Sequence, residues 1–386
     1  MRSVFKCLCA VALIAGVAVL LNGRVEAQVE TAAAGPLSIT NTEPDVRAAW
    51  SSADFANAQP MDLRAAYNPA AATEAVSSGV SVSASSGAPS LNLSPNNANM
   101  LYDPADADAP SLAPLLEAPA AFGTSGLRFS SARNTPSTAA TDNSNLPRRT
   151  GKLFFKNSAG SSFVCSASVI RHRLIATAGH CVHSGTAAGF HKDWVFVPAF
   201  RSGAAPYGSW VWTYAIVTGT WASGGGGVPN AADYALIELA DKGTPAAPVR
   251  IGANVTGFLG YATLSLLGNH AHMLGYPCNL DSCQIQHQVS AGSGPANGAN
   301  TVIYGSDARG GSSGGPWIQN YGDGYVCSSG CVASLSGRNQ LIAVTSYGPV
   351  ATTPLYQGAS ILDSRFAGSA TSLITIACAH KAGNCS

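Results

Sequence analysis

Two short stretches of the chain hold the residue types of nucleophilic catalysis. The first is Thr177-Ala178-Gly179-His180-Cys181, which follows the apolar run Leu174-Ile175-Ala176. A lone histidine is usually a satisfied structural residue. His180, however, sits directly before a cysteine and after a tight Ala-Gly turn. Such a setting fixes the backbone around an imidazole, and a general base must hold its hydrogen bond to a nucleophile in one orientation. The second stretch is Gly310-Gly311-Ser312-Ser313-Gly314-Gly315-Pro316. Glycines around Ser313 let the backbone approach a substrate closely, and the N–H groups of Gly311 and Ser313 can converge on a developing oxyanion. A flexible Gly/Ser linker has a similar composition, but the bulky Pro316-Trp317-Ile318 that follows reads as the start of a strand.

A base and a serine need a carboxylate to orient the imidazole. Asp233 is the best placed. It lies between His180 and Ser313 in the chain, just before the alternating run Ala235-Leu236-Ile237-Glu238-Leu239. Asp193, Asp241, Asp281 and Asp307 compete for the role, and an aspartate beside a strand is often only a turn former. The assignment of Asp233 rests on the whole pattern.

The elements that must position these groups read as strands. From Gly151 onward, short apolar runs alternate with clusters of Gly, Pro, Asn and Ser. Examples are Phe163–Ile170, Trp194–Val197, Trp210–Val217, Ala235–Leu239, His272–Tyr276, Thr301–Tyr304 and Leu341–Thr345. This spacing predicts an all-β sandwich or barrel. Helical periodicity is confined to the end of the chain, where a closing helix is expected within Ile361–Ile376. No internal repeat is present.

The N-terminal third is different. Arg2 and Lys6 precede an apolar run, Leu8–Leu21, and a small-residue site at Val25-Glu26-Ala27. This predicts a secretory signal peptide over residues 1–27; the run is shorter than the roughly 20 apolar residues a spanning helix needs. Cys7 and Cys9 leave with it. Residues 28–149 are rich in Ala, Ser, Asn and Pro, and stretches such as Val76–Gly87 hold little that could build a core. A disordered or loosely folded prosegment is expected there. It ends at the dibasic pair Arg148-Arg149, where the composition breaks, so cleavage is expected to leave a folded domain of residues 150–386.

Charge and cysteine content narrow the function classes. Only 11% of residues are charged and the net charge is +1. No basic stripe exists to bind nucleic acid. Outside the signal, the cysteines are Cys165, Cys181, Cys278, Cys283, Cys327, Cys331, Cys378 and Cys385. An even count on an oxidising export route predicts disulfides. Pairing of near neighbours is simplest, though spacing leaves the connectivity open. A Cys165–Cys181 bridge would close a loop of about 15 residues, worth ~3 kcal/mol in the chain-entropy picture, and would tie the His180 turn to the preceding strand. None of the spacings is a C-x-x-C, and His270-Ala271-His272 in a strand-like run reads as incidental, so neither a metal nor any other cofactor is expected.

Taken together, Thr177 to Cys181, Asp233-Tyr234-Ala235-Leu236, Gly311 to Pro316 and Ser346-Tyr347-Gly348, in the order His, Asp, Ser, resemble the trypsin-like serine peptidase superfamily, and most closely its bacterial branch with the V8-like glutamyl endopeptidases. The resemblance covers roughly residues 150 to 365. It implies two antiparallel six-stranded barrels with the active site in the cleft between them. It also implies a monomeric secreted endopeptidase, extracellular or periplasmic, with polypeptide substrates and no membrane attachment once the signal is removed. By the same resemblance, Ser346, Tyr347 and Gly348 would line the substrate, and Asp307, six residues before Ser313, would sit at the floor of the primary specificity pocket. The residue before the nucleophile is Ser312 where trypsin has Asp, and Thr150-Gly151 is not the usual apolar N-terminus, so activation by that ion pair is not expected. The glutamate-preferring branch depends on a histidine in the strand that here reads Val344 to Gly348, where there is none. This tilts the expectation from Glu towards Arg or Lys before the cleaved bond.

Two rivals of other classes remain. Gly311-x-Ser313-x-Gly315 also fits the nucleophile elbow of an α/β-hydrolase esterase, but that fold needs the order Ser, acid, His, and only His380 follows Ser313. A catalytically dead binding protein on the same fold is the other, although all three triad positions are filled.

Overall fold

The computed structural model describes residues 35–42, 45–68, 129–134, 147–322, 339–352 and 355–386. Four strands come from the N-terminal third: β1 (Leu37–Thr40), β2 (Gln59–Pro60), β3 (Arg64–Ala65) and β4 (Phe129–Arg133), with a short helix α1 (Ser52–Ala56) between the first two. The first barrel is built from β5 (Thr150–Lys156), β6 (Ser162–Val169), β7 (Leu174–Thr177), β8 (Lys192–Pro198), β9 (Trp210–Val217) and β10 (Ala235–Leu239). Its strands run in the order β8, β5, β6, β7, β10, β9, and the pairing of β9 with β8 closes it. A one-turn helix α2 (Gly219–Ala222) lies between β9 and β10. A two-stranded ribbon of β11 (Lys242–Thr244) and β12 (Ala247–Val249), then the two-residue β13 (Gly260–Tyr261), lead to the second barrel. That barrel holds β14 (His270–Gly275), β15 (His287–Ala296), β16 (Thr301–Gly305), β17 (Pro316–Gln319), β18 (Gln340–Pro349) and β19 (Tyr356–Ile361). Its order is β17, β14, β15, β16, β19, β18, closed by β18 on β17. The architecture is the expected pair of six-stranded antiparallel barrels, and it excludes the α/β-hydrolase reading.

Period-two alternation explains why these runs become barrel walls. In β10, Ala235, Ile237 and Leu239 enter the first barrel's core, while Leu236 faces a second cluster. In β9, Ala215 and Val217 point inward while Tyr214 and Ile216 point to that second cluster, and a register shift opposite Glu238 and Leu239 brings Trp210 and Trp212 to the core side as well. The second cluster also takes Leu341 and Val344 of β18 and the apolar face of α3 (Leu373–His380), so it joins both barrels to the C-terminal helix. Trp317, Tyr304, Met273 and Val289 fill the second barrel.

The closing helix lies later than the sequence suggests. Ile361 is still in β19, and the helix begins only after Ser372, whose hydroxyl caps the N–H of Thr375. A Cys378–Cys385 disulfide closes its far end. Two further disulfides, Cys165–Cys181 and Cys278–Cys283, are formed; Cys327 and Cys331 lie outside the described residues.

The N-terminal third also departs from expectation where it is described. Residues 1–27 and 76–87 lie outside the described residues, but parts of the expected core-poor prosegment are folded. β1 pairs with β9, β4 with β15, and Val46, Trp50 and Phe55 are buried in the first barrel's core cluster. Scattered apolar side chains in a polar stretch do not register in its average composition, yet these three, with Ile39, Met61 and Leu63, pack on the first barrel. At the other end, Arg148 and Arg149 are each 1% exposed, in a single turn that runs straight into β5. Arg148 Nε donates to the carbonyl of Thr256 at 3.2 Å. The bond expected to be processed is therefore enclosed by the fold.

Glu238 of β10 binds the C-terminal helix to the first barrel. Its buried carboxylate accepts from Thr213 Oγ1, His380 Nδ1 and Asn384 Nδ2, each at 2.7 Å. Removing an acceptor strands three donors. Glu238→Ala should therefore cost ~3 kcal/mol of unfolding free energy, measured by urea denaturation, while Glu238→Gln should cost less.

Candidate active site

β7 ends at Thr177, and the chain makes a single tight turn, Gly179–Cys181, that presents His180. The turn is held from several sides. The Cys165–Cys181 disulfide ties it to β6. Trp194 Nε1 donates to the Cys181 carbonyl at 2.9 Å, and Trp221 Nε1 donates to the His183 carbonyl at 2.7 Å. His191 Nε2 lies 3.0 Å from the His180 carbonyl, to which it donates. Gly179 is required by close approach: a Cβ there would lie 2.8 Å from the Trp221 ring and 3.0 Å from Asp233 Oδ1.

Asp233 is fully buried just before β10. Its Oδ1 accepts the His180 backbone N–H at 2.8 Å, and its Oδ2 stands 2.8 Å from His180 Nδ1. Ser346 of β18 donates its hydroxyl to the same Oδ2 at 2.5 Å. A carboxylate at Nδ1 holds the proton on that nitrogen and leaves the Nε2 lone pair to act as base. Of the other candidate aspartates, Asp241 pairs with Arg173, and Asp281 with Arg133 and His287.

Ser313 lies in the loop between β16 and β17. The Ser166 N–H donates to the Ser313 carbonyl at 2.7 Å, and the Ser166 hydroxyl donates to the Gly311 carbonyl at 2.9 Å. Gly314, with φ +77°, packs so tightly on the His180 turn that a Cβ would lie 2.1 Å from Thr177 Oγ1 and 2.7 Å from the Ala178 nitrogen. The serine loop of the second barrel is thus seated against the histidine turn of the first. Ser312 takes part in a neutral chain: Ser306 Oγ donates to Gln357 Oε1 at 2.8 Å, Gln357 Nε2 to Ser312 Oγ at 2.6 Å, and Ser312 Oγ to the Arg309 carbonyl at 2.5 Å. The Ser313 hydroxyl donates to the Met61 carbonyl at 2.9 Å, while His180 Nε2 is buried without a hydrogen-bond partner.

The remaining sequence candidates separate. Ser346 reaches Asp233. The Tyr347 hydroxyl accepts from Asn297 Nδ2 at 2.9 Å, and the Gly348 N–H donates to the Leu63 carbonyl at 2.9 Å. The Asp307 carbonyl accepts from Asn279 Nδ2, and its Oδ1 is buried without a hydrogen-bond partner. His270 and His272 of β14 gather no third metal ligand; the one cluster of potential ligands among the described residues is Cys165, His180 and Cys181, whose two sulfurs are bonded to each other. Sequence reasoning missed His191, Gln357 and the bond from Ser346 to Asp233. Each acts through the backbone or through another polar side chain, and none belongs to a recognisable motif.

Residues 160–326 match the family described as the trypsin-like peptidase domain. This stretch is similar to the trypsin-like peptidases. The glutamyl endopeptidase of Bacillus licheniformis is 31% identical over 172 residues, which is 43% of this chain and 49% of that protein. A Bacillus subtilis protein named extracellular metalloprotease is 26% identical over 168 residues, 42% of this chain and 48% of that one. The chain thus spans about half the length of the curated relatives it matches. Among solved structures, the protease Anisep from Arthrobacter nicotinovorans shares 25% identity with a TM-score of 0.46, covering 60% of this chain and 93% of its own.

His191 gives the first barrel a measurable pH signature. Burial pushes its imidazole down to about 4 from 6.5, against the pull of its bond to the His180 carbonyl. Its ring stacks on Phe155 at 5.0 Å. The unfolded chain takes up this proton near pH 6.5 and the folded chain only near pH 4. The stabilisation is therefore complete above pH ~6.5 and is lost as pH falls towards ~4, to a limit of ~3 kcal/mol. His191→Phe should flatten that part of the stability–pH curve, as read from urea midpoints between about pH 7 and 4.

Proposed function

We propose that the chain is a secreted serine endopeptidase that hydrolyses peptide bonds through an acyl-enzyme, with Ser313 as nucleophile, His180 as general base and acid, and Asp233 as the group that orients His180. The observation that carries this is the buried Asp233–His180 pair of the first barrel set against the glycine-flanked Ser313 loop of the second.

Ser313 Oγ forms a bond to the substrate carbonyl carbon as its proton passes to His180 Nε2. The imidazolium is stabilised at Nδ1 by the Asp233 carboxylate, and the negative oxygen is received by the N–H groups of Gly311 and Ser313. Collapse breaks the C–N bond, and His180 delivers the proton to the departing amine. Water then enters, loses its proton to His180 and attacks the ester; the second collapse returns that proton to Ser313 Oγ. The Ser306–Gln357–Ser312 chain supports the loop without the ion pair of trypsin. Ser313→Ala and His180→Ala should each lower kcat by about 10⁴ or more, because such residues act as a unit. A folded Ser313→Ala variant with wild-type turnover would overturn the assignment.

For the finer specificity, the proposal is a preference for Arg or Lys before the cleaved bond, received by Asp307. A shielded carboxylate oxygen without a partner favours a cationic guest. A Glu preference is favoured instead by the relative named glutamyl endopeptidase. Matched peptides with Arg, Lys, Glu or Phe at that position decide between them: Asp307→Ser should lose at least about tenfold in kcat/KM for Arg over Phe if the carboxylate contacts the guest.

Export is supported by the leader pattern of residues 1–27 and by the three disulfides. No helix among the described residues is long and apolar enough to cross a membrane. The proposed organisation is a signal at 1–27, a prosegment at 28–149 and the peptidase at 150–386. Because Arg148 and Arg149 are enclosed, cutting after Arg149 would follow loosening of the prosegment rather than begin it.

A further inference from the structure

We propose a second function for the N-terminal part of the chain: residues 45–65 are a tethered inhibitor of the cleft, anchored on the first barrel by Trp50 and Phe55 and closed over Ser313 by residues 59–65. This rests on the peptidase reading of the site.

The anchor is an apolar docking site with polar edges. Trp50 and Phe55 stack at 4.5 Å, and both meet the Phe154 ring of β5 edge-on, at 6.0 and 5.0 Å. Trp50 Nε1 donates to the Asp193 carbonyl at 2.8 Å. α1 begins with a capping box between Ser51 and Asp54, and Asp54 also lies 3.4 Å from Lys156 Nζ. Buried aromatic anchors with a satisfied polar rim are the features that hold a specific interface.

From this anchor the chain passes from one barrel to the other across the catalytic groups. β2 pairs parallel with β6, and the Met61 N–H donates to the Val164 carbonyl at 3.1 Å. Pro60 and Asp62 stand against Gly310 of the serine loop, where a Cβ would lie 3.1 Å from the Pro60 Cβ and 2.7 Å from the Asp62 Cβ. The Gly348 N–H then donates to the Leu63 carbonyl, and β3 pairs parallel with β18. The Tyr356 hydroxyl closes the path on the Ala65 carbonyl at 2.6 Å. Main-chain pairing to a sheet edge is a general mode of peptide capture, and here both ends of the cleft are captured by one segment.

The geometry at Met61 explains why the segment blocks the site and is not cut there. Attack needs Ser313 Oγ at a carbonyl carbon, its proton directed to His180, and the carbonyl oxygen turned to the Gly311 and Ser313 N–H groups. Instead the Met61 carbonyl oxygen faces the hydroxyl and accepts its proton at 2.9 Å, leaving His180 Nε2 without a partner. The nucleophile is thus uncoupled from its base by the group that covers it. Because inhibitor and nucleophile share one chain, occupancy of the cleft is intramolecular and does not fall with dilution.

The test uses the full chain and a fluorophosphonate that labels an active serine. In the full-length protein, labelling of Ser313 should be slow. Trp50→Ala/Phe55→Ala should raise its rate by about tenfold or more, as loss of aromatic anchors weakens docking. Met61→Pro, which removes the N–H donated to Val164 while leaving the Trp50 and Phe55 anchors in place, should raise it in the same direction, and this covers the case in which the anchor variant does not fold. Equal labelling rates in wild type and Met61→Pro would overturn the inhibitor while upholding the peptidase. Absence of labelling in every form, including protein whose N-terminal segment has been removed by limited proteolysis, would overturn the peptidase reading and the inhibitor with it.

Discussion

The carboxylate of Asp233 is a buried charge that must be satisfied, and the three donors that satisfy it come from both barrels. His180 supplies a backbone N–H and Nδ1 from the turn after β7, and Ser346 supplies its hydroxyl from β18. An ionised carboxylate without such partners would be strongly destabilised. Satisfying it fixes the position of the histidine turn, the start of β10 and the middle of β18 relative to one another. The cleft between the barrels is where these three elements meet.

Around that point the molecule is rigid for identifiable reasons. The His180 turn is clamped by a disulfide and by three ring N–H groups that donate to its carbonyls or to that of His183. The Ser313 loop is clamped by Ser166, whose N–H and hydroxyl engage the carbonyls of Ser313 and Gly311, and by Gly314, which lets it lie directly on Thr177 and Ala178. Where trypsin uses an ion pair beside its nucleophile, this chain uses neutral donors and acceptors on Ser306, Gln357 and Ser312. A neutral chain does not require a newly freed amino group, so the loop can be shaped before any cleavage. Control would then lie elsewhere, and residues 59–65, whose Met61 carbonyl accepts from the Ser313 hydroxyl, are proposed to exert it.

The same barrel surfaces that would receive a substrate receive this segment. Strand edges expose unpaired N–H and C=O groups, and such edges invite pairing. β6 and β18 have theirs filled by β2 and β3, while β1 and β4 fill others.

The candidate groups stand out in the sequence because the local requirements of such chemistry are strict. A fixed histidine turn and a glycine-flanked serine need particular residues at adjacent positions, so His180 and Ser313 stand out, as do the period-two runs that become β9, β10 and β18. Asp233 was identifiable only by its place in the order of the chain, and tertiary structure decided among the aspartates by giving one of them the three donors. His191 and Gln357 carry no local signature, since their partners lie in the backbone or on strands far away in sequence. The N-terminal segment was hidden for a related reason. Its composition is that of a coreless chain, and Val46, Trp50 and Phe55 become meaningful only when the first barrel offers a surface to bury them. Arg148 and Arg149 show the converse: adjacent arginines read as an exposed cleavage site, but the strand that follows them draws both into the fold. Residue type and short spacing determine which groups can react; only the folded chain decides which of them meet and what covers them, because those contacts join residues tens to hundreds of positions apart.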